Sequence, residues 1–324
     1  MRLEDIDTNT VGIGIAACAA VAAIACRSKI ATVAHAALDR LITSCFYVGF
    51  KRLDPTLAAQ RRQARIDNNN ARPIMTDTHP SPEALYIPSP SSTGNVMVIC
   101  LNTTYQDHHP KRWKPFLESG ADIVLWNPTK LDPVSYSQEL SAVLAHLRQQ
   151  NPNQVIAVHS RCASTDPAIA AIAAQNDPNI HLLVDRGHGN SLKLASSMSR
   201  CANLPFVRNL LQQKFDCGGE EKIANLPGKT AFFVSECDQL LGKKDNLTHD
   251  LVAKTPNSTT TTLRNSDHWS DWSFEDYNAA LKFLASLGVV RSDFTPVIKQ
   301  NFPAPTPPNF FMRSIVPFLI KRSC

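Results

Sequence analysis

The sequence predicts an α/β fold: a mostly parallel sheet with helices on both faces, a small cap and a helical N-terminal extension. Two observations carry this. From Val96 to about Leu287 short apolar runs alternate with helical segments. Strands that are apolar throughout belong to parallel sheets covered on both faces. The chain has 324 residues, 43% of them apolar, so it can bury a full core and is globular rather than disordered.

Val11 to Cys26 is an unbroken apolar run rich in Ala and Cys. At about 1.5 Å rise per residue it spans roughly 24 Å, short of the ~30 Å hydrocarbon core. Glu4, Asp5 and Asp7 precede it, with only Arg2 in opposition, which disfavours a cleaved secretory signal. A short membrane anchor and a buried Ala-rich helix stay open. Ile30 to Phe50 reads as a second helix, with Ile30, Val33, Ala37, Leu41, Ile42, Cys45 and Phe46 near helical spacing. Lys51 to Ala71 turns basic, and Arg61, Arg62 and Arg65 read as a solvated helix face. Residues 1–71 therefore form an extension expected to associate with a membrane or to cover the domain. Residues 72–95 are rich in Pro and Ser and read as an extended connection, with one strand at Ala84–Ile87.

The domain itself spans 96–290. Val96–Leu101 is its first strand, Lys111–Ser119 a short helix ended by Gly120, and Asp122–Trp126 a second strand stopped by Asn127-Pro128. Val134–Gln150 is a helix with Leu140, Val143, Leu144 and Leu147 on one side. Val155–His159 is the third strand and runs into a helix around Asp166–Ala174. His181–Asp185, Thr230–Val234 and Thr259–Leu263 are further strands, and Phe274–Leu287 is the closing helix. Residues 190–229 leave room for a small helical cap. Residues 291–324 hold a Pro-rich spacer (Pro303, Pro305, Pro307, Pro308) and an apolar-basic tail, a second candidate for a bilayer face.

Composition excludes several functions. A net charge of +5 suits an anionic membrane surface and is too weak to argue nucleic acid. There is no GxGxxG after the first strand and no P-loop. Nine cysteines include no C-x-x-C pair and read as reduced thiols in a reducing compartment. His108 and His109 are adjacent, which suits a polar loop better than a metal site. No metal or organic cofactor is expected.

In a parallel sheet, ligands bind beyond the carboxyl ends of the strands. Ser160 lies just past the third strand in Val158-His-Ser-Arg-Cys162, Asp238 follows a late strand, and His268 follows the next. A serine there is placed either to attack a carbonyl or to cap the helix behind it. As a nucleophile it needs a base: His268 would take its proton, and Asp238 would orient the imidazole. Cys162 is read as packing inward and His159 as a packed residue.

These motifs, with Asp267-His268 before the last helix and Asp185-Arg-Gly-His-Gly-Asn-Ser191 after the fourth strand, resemble the α/β-hydrolase superfamily, on its esterase, monoacylglycerol-lipase-like and peptidase-like side. The resemblance implies a Ser160–Asp238–His268 triad, and oxyanion-hole N–H groups from Arg161 and from Thr103 or Thr104. It also implies a pocket near Asn102, which stands where the family has a His, with His188 flanking. Trp269 is read as core or pocket wall. The family usually flanks its nucleophile with small residues. Here Ser160 is flanked by Val158 and Cys162. The apolar N-terminus is similar to that of hydrolases that intracellular bacteria deliver to host cells. The reading is a serine hydrolase of an ester, thioester or amide, with an acyl-lipid substrate preferred. The alternative is a non-catalytic, membrane-associated binding protein on the same fold.

Overall fold

In the computed structural model the described residues are 60, 62–64, 66–67, 69–74, 83–100, 110–128, 132–198, 205–238, 241, 247–268 and 270–297. The apolar runs 11–26 and 30–50 and residues 101–109 and 298–324 lie outside them. Among the described residues, no helix is long and apolar enough to cross a membrane.

In chain order the elements are β1 (Arg72–Ile74), β2 (Glu83–Ile87), β3 (Val96–Cys100), α1 (Pro110–Glu118), β4 (Asp122–Asn127), α2 (Pro133–Gln150) and β5 (Ile156–Arg161). A 3-10 turn, Cys162–Ser164, leads into α3 (Thr165–Gln175) and β6 (Ile180–Asp185). Then come α4 (Ser191–Met198), α5 (Pro205–Phe215), α6 (Gly219–Lys222), β7 (Thr230–Cys237), α7 (Leu247–Ala253), β8 (Thr259–Asp267) and α8 (Phe274–Ser286). The strands form one sheet in the order β1-β2-β4-β3-β5-β6-β7-β8. β1–β2 and β2–β4 are antiparallel, and every later pairing is parallel.

Every residue of β3, β5 and β6 is buried, as strands covered on both faces require. Successive side chains go to opposite faces. Val98, Val158 and Val184 pack with Leu140, Val143, Ala168 and Ile169 of α2 and α3. Met97, Ala157 and Leu183 pack on the other face with Trp113 and Phe116 of α1 and Leu281 and Leu284 of α8. Asp132 caps α2 by accepting from the Ser135 N–H at 2.9 Å. Ser273 and Asp276 form a capping box on α8.

Two differences from the expected boundaries matter. The segment expected as a connection with one strand at 84–87 supplies two strands, β1 and β2, the antiparallel edge of the sheet. β5, β7 and β8 also run two to four residues further than their apolar runs suggest. Their last residues are polar or small, but each still pairs with a neighbouring strand, as Arg161 does with Asp185 and Cys237 with Asp267.

Candidate active site

Asp238 directly follows β7, and His268 directly follows β8. These strands are neighbours, so the two loops leave the sheet side by side. His268 is 2% exposed. Its Nδ1 lies 2.8 Å from Asp238 Oδ2 and 3.0 Å from Oδ1. Asp238 Oδ1 also accepts the Leu241 N–H at 2.9 Å, which fixes the carboxylate's plane.

Ser160 does not join this pair. The expectation that it stands at the turn is overturned by the length of β5, which carries it inside the sheet opposite Cys100 and Val184. It is fully buried. Its hydroxyl donates to the Leu183 carbonyl at 3.3 Å and receives the Thr165 hydroxyl at 3.2 Å. Strand alternation explains this: His159 goes to one face, where its ring packs 5.0 Å from Trp272 and 6.2 Å from Phe116, and Ser160 goes to the other, under α3.

The residue at the crease is Cys162. Its φ is +52°, in the left-handed region that a non-glycine residue enters only when the surroundings hold it there. Its thiol is hydrogen-bonded to His268. Ser164 holds the crease: its hydroxyl accepts the Arg161 N–H at 2.8 Å and lies 2.6 Å from the Cys100 carbonyl as donor. The Arg161 N–H is therefore committed to Ser164, which corrects its expected place in the oxyanion hole. The spacing that could have found Cys162 is Ser160-Arg-Cys162-Ala-Ser164, a small residue two positions to either side of the strained one.

No family model and no curated protein matches the chain. Solved structures do. The esterase domain of a Rhodothermus marinus protein is similar at TM-score 0.50 and 11% identity, covering 68% of this chain and 98% of that one. A Mycobacterium tuberculosis puromycin-hydrolyzing peptidase is similar at TM-score 0.53 and 12% identity, covering 71% of this chain and 42% of that one. The chain has the α/β-hydrolase fold.

Within this α/β-hydrolase fold the site is strongly polarised. Burial pulls the His268 pKa down, but the charge on Cys162 and the hydrogen bond to Asp238 overcome it and raise the value to about 9. Burial pushes the Asp238 carboxyl up, and His268 more than reverses that, holding it below its ordinary range. His188 lies in the loop after β6 and is fully buried. Burial, then the positive charge of His268, lower it to about 3, so it sits neutral beside a charged imidazole. His159 is lowered to about 4, first by burial. Gly187 is required in this loop: a Cβ there would stand 2.0 Å from Thr165 Oγ1 and 2.7 Å from Val184 Cγ1. Asn102, Thr103, Thr104 and Trp269 lie outside the described residues. Among the described residues, no group of His, Cys, Asp and Glu could hold a metal ion.

Proposed function

We propose that this protein hydrolyses an acyl bond (an ester, thioester or amide) with Cys162 as the nucleophile, His268 as acid and base, and Asp238 as the orienting carboxylate. The observation that carries the reading is the strained Cys162 hydrogen-bonded to His268, whose other face rests on Asp238. A thiolate is the reactive form of cysteine, and an adjacent imidazolium stabilises it.

The steps follow from these positions. The Cys162 sulfur attacks the acyl carbon, and the carbonyl electron pair moves onto oxygen. The Ala163 N–H, one residue past the nucleophile at the start of the helical turn, is the donor that the strand-to-helix crease offers this oxyanion. The intermediate collapses as the leaving group takes the His268 proton. Water then gives a proton to the neutral imidazole and attacks the acyl thioester, releasing the acid and restoring the ion pair. Asp238 keeps Nδ1–H pointed at itself, so that Nε2 is the atom that exchanges the proton.

The small flanks of Cys162 favour this reading over a non-catalytic one, since Val158 does not border the nucleophile. The acyl-lipid preference rests on the apolar segments outside the described residues. Iodoacetamide mass labelling at pH 6 tests the proposal alongside hydrolysis of short-chain acyl esters and thioesters. Wild type and Ser160→Ala are expected to label at Cys162 and to turn over substrate, and Cys162→Ala to do neither. Turnover that survives Cys162→Ala, or folded protein with no turnover of any acyl substrate, would overturn it.

A further inference from the structure

Two arginines are buried at the carboxyl edge of the sheet, and both spend their guanidiniums on the turn that carries His268. Arg186 is fully buried and has a φ of +46°. Its Nε and Nη2 grip Asp185 at 2.7 and 3.1 Å, and its Nη1 donates to the carbonyls of Asp267 at 2.6 Å and Ser270 at 2.8 Å. Arg161 is the last residue of β5, next to Cys162. Its Nη2 donates to the carbonyls of His268 at 2.9 Å and Ser270 at 3.1 Å. Its Nε lies 3.5 Å from Asp185 Oδ2. Asp185 pairs directly with Arg161 across β5 and β6. One carboxylate therefore joins two forks, and the forks hold three carbonyls of a four-residue turn.

Burying charge is costly unless it is paired and hydrogen-bonded. A turn held only for stability could use its own N–H groups, as Asp267 and Ser270 already do, with the Ser270 N–H donating to Asp267 Oδ1 at 2.8 Å. Arg161 also connects the strand before the crease to the turn behind the imidazole. We propose that Arg161 and Arg186, joined by Asp185, are positioning residues that fix the His268 turn relative to Cys162 and Asp238. This builds on the catalytic reading above but concerns the imidazole's placement. Among the described residues, Asp238, Cys162 and His188 face that imidazole.

The test is the imidazole's titration by NMR in histidine-labelled full-length protein, with the resonance assigned through His268→Gln. The Arg186→Lys and Arg161→Lys variants keep the positive charge and lose the planar fork. In each folded variant the His268 midpoint is expected to fall by about one unit or more, a tenfold change in its proton affinity. Cys162 alkylation at pH 6 is expected to slow in parallel. An unmoved midpoint in either variant, with wild-type circular dichroism and melting, would overturn the proposal. Failure of the catalytic reading shows elsewhere, as a wild-type protein that turns over no acyl substrate while its His268 midpoint still responds to the arginines.

Discussion

Asp238 and His268 are the first residues beyond two adjacent parallel strands, and their side chains meet at 2.8 Å. The pairing follows from strand register: Cys237 of β7 lies opposite Asp267 of β8, so the next residue on each strand emerges at the same height. The carboxylate's role can be separated from its presence. Asp238→Asn is expected to leave the fold intact and to lower kcat by about 10³ to 10⁴-fold, because the amide favours the wrong imidazole tautomer. Steady-state kinetics with a short acyl ester, alongside circular dichroism, checks this; a loss of less than about tenfold would mean that Asp238 does not orient His268.

The proposed position of the nucleophile yields a paired prediction. Ser160→Ala removes a buried hydroxyl that bonds to Leu183 and Thr165. It is expected to cost about 1 kcal/mol in urea unfolding and to keep activity within a few-fold. Cys162→Ala is expected to keep the fold and lose turnover.

The His268 pKa of about 9 sets an alkaline limb. The leaving group needs the imidazolium's proton, so kcat/KM for an alkyl ester is expected to hold through neutral pH. It should fall as pH rises through about 9. A rate profile from pH 6 to 10 reads this directly, and a limb near pH 6.5 would show an imidazole free of its partners.

Asp185 makes a prediction of opposite sign. Burial pushes its carboxyl up, but Arg186 and then Arg161 bring it well below the ordinary carboxylate range. A depressed folded-state pKa contributes stability that is complete above the unfolded value of about 4 and is lost as pH falls through the folded one. Asp185→Asn is expected to cost about 3 kcal/mol at pH 7, since it strips a buried ion cluster of its anion. That gap should narrow below pH 4, and denaturant titrations at pH 7 and pH 3 measure it. A gap that widened on acidification would mean that Asp185 is not held ionised.

The architecture could be read from local pattern because the central strands β3, β5 and β6 are mostly apolar and buried throughout, and helices such as α2 and α8 bury an apolar side. That periodicity gave the parallel sheet, and with it the edge where the candidate site lies. Asp238 and His268 were legible as candidates because each follows a strand expected at the same edge of the sheet. Of the antiparallel edge, the strand at Ala84–Ile87 was legible, while Arg72–Ile74 was hidden because it is only three residues long and borders proline-rich chain.

Ser160 against Cys162 is where hydropathy ran out. A strand ends where backbone pairing ends, and β5 keeps pairing through the polar Ser160 and Arg161 because β6 continues beside it. That two-residue extension moves the crease to Cys162 and turns the serine under α3. The role of the arginines could not be placed from the sequence, because the carbonyls they hold are more than 80 positions away. The sequence by itself determined the layers of this protein and the edge that carries polar groups. Only the tertiary structure decided which side chain stands at the crease, because that depends on hydrogen bonds made between strands.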